Sequence, residues 1–287
     1  MRRRTKLNIA IVIFLLFSLG AAYFIIERSK ENAFTIKREA EIEKKEEQKT
    51  ENETLEPMPS EEENPKNIDL EWAVEKYKGR EISKINTSEK VAALTFDAGA
   101  NADGVDKVLE ILEQNEIKGT FFLTGKFIER YPDKTRKIIA SGGDIGNHSY
   151  SHPYFTEISR ESIDGELKKT EDALGRLDAH FNPLFRSPYG NRNASTMPAV
   201  SENGYINIRW TVDSLGWKGT SGGMTKDLVR DKVLKNSLPG AIIMMHLGSN
   251  PDDKTHLDSE ALPEIIAKLK ADGYEFITLS EILELEK

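Results

Sequence analysis

The chain has 287 residues, with 40 Lys and Arg against 48 Asp and Glu, a formal net charge of −8. The length allows one large domain or two small ones, and 38% hydrophobic residues can supply a core, which excludes a wholly disordered chain. The acidic balance argues against a basic phosphate-binding face, so no nucleic acid is expected as partner, and the absence of cysteine excludes disulfides, thiolate zinc, Fe–S clusters and a Cys nucleophile.

Met-Arg-Arg-Arg-Thr-Lys opens the chain, and no charged residue follows from Leu7 to Ile26. At about 1.5 Å per residue that run spans a hydrocarbon core of roughly 30 Å. Arg2, Arg3, Arg4 and Lys6 would hold the N-terminus in the cytoplasm. Residues 1–26 are therefore expected to be a basic stub and a transmembrane anchor. The alternative is a secretory signal with cleavage near Ser18-Leu19-Gly20-Ala21-Ala22, although the apolar run continues through Tyr23-Phe24-Ile25-Ile26. Either outcome exports the remainder. Residues 27–66 carry 13 acidic and 8 basic residues, 8 − 13 = −5, with Phe34 as the one aromatic. Such a stretch buries too little apolar surface to offset chain entropy and reads as a disordered linker. Residues 67–90, with Trp72 and Tyr77, read as a lead-in packing on a main domain at 91–287.

From Val91 strands alternate with helices. Strands are expected at Val91–Phe96, Gly119–Leu123, Asp144–Gly146, Leu184–Arg186, Ile206–Val212, Ala241–Met245 and Glu275–Leu279. Helices are expected around Val105–Leu112, around Phe127–Ile139 with a break near Pro132, and over Glu161–Leu177, Thr225–Leu234 and Ser259–Lys270. This alternation predicts an α/β fold on a parallel sheet, either closed into a barrel or open. In a closed barrel the chemistry would lie at the C-terminal strand ends.

The polar residues at those ends are Asp97, His148 and His152, Arg186, Asp213 and His246. Each has an ordinary structural role open to it. Asp97 can form a turn beside Gly99, Asp213 can cap the next segment, and His246 can be a satisfied core histidine after Ile242-Ile243-Met244-Met245. Two His four apart lie on one side of a helical turn, as metal ligation needs. An Arg after an apolar strand is expected to meet a carboxylate. Six such residues at five strand ends argue for one site.

In order along the chain, Thr95-Phe96-Asp97, His148 to His152, Arg186-Ser187-Pro188-Tyr189-Gly190, Asp213 to Trp217 and Met244-Met245-His246 resemble the five motifs of the NodB-type polysaccharide deacetylases, carbohydrate esterase family 4. The match runs from about Val91 to about Leu283. It implies a distorted (β/α)7-type barrel and a divalent metal, zinc first with cobalt or nickel also suitable. It also implies removal of acetyl groups from sugar polymers. His148 and His152 are the implied metal ligands. A water activated at the metal attacks the acetyl carbonyl, with Asp97 as base and His246 as acid. Arg186 is expected to hold Asp97 by paired N–H bonds and Asp213 to hold the His246 ring. The Tyr189 N–H is the implied oxyanion donor, and Trp217 and Met244 line the acetyl pocket. Two acids of the family pattern are missing: Ala98 replaces a metal ligand and Gly216 the second acid of the fourth motif. The third metal ligand is then expected to be water, Asp97, or Asn101 or Asp103 on the following loop, with water favoured by a void at Ala98.

Location argues for the substrate. A domain tethered outside a membrane meets cell-wall glycan first, so peptidoglycan GlcNAc or MurNAc is the expected acetyl donor, with chitin or xylan fragments as alternatives. A sugar-binding pseudoenzyme is the rival that Ala98 and Gly216 favour. A metal-dependent hydrolase of another amide or glycosidic bond is the other.

Overall fold

The computed structural model describes residues 68–287. The expected anchor and linker lie outside the described residues. Among the described residues, no helix is long and apolar enough to cross a membrane.

The described chain runs α1 (Glu71–Lys76), β1 (Glu81–Ile82), β2 (Val91–Ala98), α2 (Val105–Gln114), β3 (Thr120–Leu123), α3 (Gly125–Arg130), α4 (Pro132–Ala140) and β4 (Asp144–Asn147). It continues with α5 (Arg160–Gly175), β5 (Leu184–Phe185), α6 (Thr196–Glu202), β6 (Ile206–Ile208), β7 (Val212–Asp213), α7 (Lys226–Asn236), β8 (Ala241–His246), α8 (Leu257–Ala271), β9 (Glu275–Phe276) and α9 (Leu279–Glu284). All ladders between these strands are parallel, in the order β1-β6-β5-β4-β3-β2-β8-β7, with β9 added to β2.

The central strand β2 is buried along its whole length because both of its faces are covered. Ala92, Leu94, Phe96 and Ala98 face an outer apolar cluster built with α2, α3, α7 and α8. Val91 and Ala93 face an inner cluster with Phe122, Leu184, Ile206, Ile208 and Ile242. That cluster is covered by Leu70, Ala73 and Tyr77 around α1 and by Leu279, Ile282 and Leu283 of α9. Side chains alternate along a strand, so Thr95 and Asp97 share the inner face with Ala93. The inner face is thus apolar where β2 begins and polar where it ends.

The expected seven-unit barrel is realised as a curled half-barrel. The ladder does not close into a ring, since β1 stands at one edge and β7 at the other. The expected strand Ile206–Val212 is two short strands, β6 and β7, joined by residues 209–211. That link carries the chain from one side of the sheet to the other. Thr211 donates its N–H to Ile242 of β8, while Arg209 donates to Ile82 of β1. Helix α6 between β5 and β6, and the short β1, were not expected. The break at Pro132 falls where expected, separating α3 from α4 with Pro132 opening the second helix.

Candidate active site

The register sets the centre of the site. Asp97 on β2 and His246 on β8 are Cα partners on adjacent strands. Asp213 on β7 is the partner of Met244, two residues before His246. A base and an acid therefore emerge side by side from the polar end of the inner face.

Arg186 follows β5 and reaches back across the barrel. It is completely buried. Its Nη1 donates to Asp97 Oδ1 at 2.7 Å and to Thr95 Oγ1 at 2.9 Å, and its Nη2 donates to the Arg209 carbonyl at 3.2 Å. The guanidinium lies 4.1 Å from the Phe122 ring centre and 5.8 Å from that of Trp210. Paired N–H bonds to Asp97 were expected. Instead one nitrogen grips both Asp97 and Thr95, and the second holds the bend between β6 and β7. Burial raises the Asp97 pKa, but Arg186, then His148 and His246, outweigh it and hold the carboxyl below its ordinary range.

His148 and His152 do not lie on a helical turn. They sit in a loop after β4 in which Ser149 (φ 67°) and His152 (φ 63°) are left-handed. Strained backbone of this kind persists only where surroundings enforce it. Asn147 Oδ1 accepts the Ser149 N–H at 2.9 Å, and Glu166 of α5 accepts the N–H groups of Tyr150 and Ser151. The loop turns the two rings together, His148 Nε2 to His152 Nε2 at 3.2 Å. His148 Nδ1 lies 2.7 Å from the Arg186 carbonyl, which assigns the proton to Nδ1 and leaves Nε2 as a lone pair. Its Nε2 lies 3.6 Å from Asp97 Oδ2. Burial lowers the pKa of both rings, and the His148 ring adds to the effect on His152, which is pushed down to about 3. Two neutral imidazoles converging beside a carboxylate fit a divalent metal of the zinc, cobalt or nickel kind. Among the described residues, no group of three or more His, Cys, Asp or Glu side chains completes a metal cage.

The other candidates for a third ligand are engaged elsewhere. Asn101 exchanges two hydrogen bonds with the Ser249 backbone, and Asp103 accepts from Ser249 Oγ at 2.6 Å. Both are tied to the turn after β8. The expected void at Ala98 is also absent, because Ala98 is completely buried in the outer apolar cluster.

Asp213 does not hold the His246 ring. Its Oδ1 accepts the Leu215 N–H at 2.8 Å and so shapes the turn in which Leu215 is left-handed. The carboxylate beside the ring belongs to Asp258 in the first turn of α8, with Oδ2 3.7 Å from His246 Nδ1. Burial lowers the His246 pKa, but Asp258, Asp97 and Asp213 together raise it above the ordinary imidazole value. Burial is the leading cause of a raised Asp213 pKa. Met244 is buried at the base of the site. Tyr189 is left-handed (φ 58°) in the 3-10 turn Pro188–Gly190. It stacks on Tyr154 at 4.2 Å and meets the His152 ring edge-on at 4.4 Å. Trp217 stands beside His246, with ring centres 6.4 Å apart. Tyr154, Tyr189 and Trp217 are 46%, 60% and 45% exposed, so a stacked tyrosine pair and a tryptophan stand partly open to solvent around the polar floor.

The polysaccharide deacetylase family model matches residues 84–208. A peptidoglycan-N-acetylglucosamine deacetylase of Bacillus cereus is 35% identical over 214 residues, 75% of each chain. The chain belongs to the polysaccharide deacetylase family. It is accordingly a hydrolase acting on amide bonds. The peptidoglycan-N-acetylmuramic acid deacetylase PdaA of Bacillus subtilis is 30% identical over 215 residues, 75% of this chain and 78% of that one. Among solved structures, a Bacillus anthracis protein described as a carbohydrate esterase family 4 pseudoenzyme superposes with a TM-score of 0.66. It is 28% identical, over 73% of this chain and 70% of its own. Thr95, Asp258, Tyr154 and the loop-shaping Glu166 were missed from sequence. Asp258 sits among the acids that ordinarily open a helix, and no local signal marks it.

Proposed function

We propose that this chain removes N-acetyl groups from peptidoglycan amino sugars, GlcNAc or MurNAc, outside the cell membrane. The observation that carries the reading is the buried Arg186–Asp97 pair lying directly beside His246. Asp97 is held ionised and acts as base, taking a proton from water as the water oxygen attacks the acetyl carbonyl. Arg186 aims the carboxylate. The Tyr189 N–H donates to the oxyanion. His246 protonates the amine nitrogen as the C–N bond breaks, releasing acetate and a free amino sugar. His148 and His152 would hold a divalent metal, zinc first, and the family's deacetylases generally depend on one. Bound there, it supplies Lewis acidity next to the acetyl carbonyl. Tyr154, Tyr189 and Trp217 would stack on sugar faces, and Met244 would wall the acetyl methyl.

Residues 1–26 would anchor the protein in the membrane, and residues 27–66 would space the catalytic part from it. A catalytically impaired sugar-binding protein is the second reading, favoured by Ala98, which supplies no third ligand. The test is acetate release from purified peptidoglycan, chitooligosaccharide and acetylated xylan, with and without added divalent metal. Release from peptidoglycan above the other two supports the proposal. Glycan binding with no acetate from any of them supports the second reading.

A further inference from the structure

We propose that Asp258 is the positioning residue for His246, a carboxylate supplied from α8 in place of the acid absent at Gly216. The inference rests on the assignment of His246 as the proton donor.

The first observation is steric. A Cβ built on Gly216 would overlap Asp258 Oδ1, and would lie 2.5 Å from its Cγ and 2.9 Å from Oδ2. The Asp258 carboxylate therefore occupies the space that any side chain at 216 would need. Gly216 is not among the positive-φ residues, so its backbone does not require glycine. What requires glycine is Asp258. A side chain at 216 would have to push the Asp258 carboxylate off the His246 N–H.

The second observation is polar. Asp258 is 5% exposed, and its Oδ2 accepts the backbone N–H of His246 at 2.9 Å. The same oxygen lies 3.7 Å from His246 Nδ1. Nδ1 of His246 and Oδ1 of Asp258 are both buried with no hydrogen-bond partner. A buried Nδ1 without a partner is costly, and closing the 3.7 Å gap to Oδ2 would pair it. The carboxylate also sits in the first turn of the 15-residue helix α8, where the helix dipole favours a negative charge.

Paired in this way, Asp258 fixes the proton on Nδ1. That turns Nε2 toward the open site as the proton donor and stabilises the imidazolium before proton transfer. The other titratable groups facing the ring are Asp97, His148 and His152 within the site and Asp213 on β7. Of these, Asp97 is gripped by Arg186, and Asp213 is bound to the Leu215 N–H.

The test compares full-length wild type with Asp258→Asn, Gly216→Asp and the exchange variant Gly216→Asp/Asp258→Ala. In Asp258→Asn, kcat on peptidoglycan should fall about 10- to 100-fold with little change in KM, and the alkaline limb of the pH profile should move to lower pH. Gly216→Asp alone should lose activity through the clash. The exchange variant should recover at least part of it. Nitrogen-15 NMR of the histidine rings gives a second readout that does not need turnover. The His246 proton should sit on Nδ1 in wild type and spread over both nitrogens in Asp258→Asn. An unchanged tautomer in Asp258→Asn overturns the proposal. So does an exchange variant no better than Gly216→Asp while wild type is active. An inactive wild type that still shows the tautomer change would instead refute the deacetylase reading and leave the pairing standing.

Discussion

Arg186→Met removes the guanidinium but keeps most of the stem packed against Phe122 and Trp210. The perturbation strips Asp97 of its closest counter-charge in a site where the carboxylate is 7% exposed. Breaking a buried pair by removing one partner costs about 3–5 kcal/mol. At about 2–4 °C per kcal/mol for a domain of this size, the melting temperature at neutral pH should fall by about 6–20 °C. The pH dependence has a definite sign. In wild type the Asp97 pKa is held down, so its stabilisation is present above the unfolded carboxylate value and lost as pH falls through the lowered folded value. Without Arg186, burial dominates and the folded pKa rises. The penalty is then greatest at neutral pH and shrinks as acid protonates Asp97. The melting curves of wild type and variant, followed by circular dichroism from about pH 7 to about pH 4, should converge on acidification. Arg186→Met/Asp97→Asn removes both charges and should be more stable than the single variant. A loss below about 1 kcal/mol at neutral pH, or a double variant less stable than the single, would refute the reasoning.

Asp97→Asn and His246→Ala should each lower acetate release about 100- to 10,000-fold while the melting curve stays cooperative. Near-wild-type turnover in either one removes the proton-transfer role. Activity should persist above the ordinary imidazole range, because His246 is raised and acts protonated, and below the ordinary carboxylate range, because Asp97 is lowered and acts ionised. A pH–rate profile with both limbs at unperturbed values would contradict this. Chelation should abolish acetate release and added divalent metal should restore it, with His148→Ala and His152→Ala both unresponsive to metal. Protease added to intact cells should release an active fragment by cutting within residues 27–66, and full protection of that stretch would remove the extracytoplasmic assignment.

The buried strands were legible because both faces of β2 and β8 are covered, so their sequences are continuous apolar runs. The order of polar residues after those runs gave the rim, and the register on β2 and β8 then placed Asp97 beside His246. The split between β6 and β7 was not legible, since Ile206 to Val212 reads as one strand. It arises because Arg186 binds the Arg209 carbonyl and faces the Trp210 ring, contacts between distant parts of the chain. The His148–His152 spacing suits a helix as well as a tight loop. Left-handed Ser149 and His152 decide for the loop, and serine gives no sign of that conformation in sequence. Gly216 read as a lost acid. Only the fold reveals that Asp258, 42 residues further on (258 − 216), fills the same space.

The most direct measurement is metal-supplemented acetate release from purified peptidoglycan by the wild-type chain and by Asp97→Asn, with the residual glycan analysed for free amino groups. Wild type should release acetate and expose glucosamine or muramic acid amines in equal amounts, and Asp97→Asn should release at least about 100-fold less. Equal release by the two proteins would contradict the role of the Arg186–Asp97 pair. No release by wild type at any metal concentration would contradict the deacetylase itself.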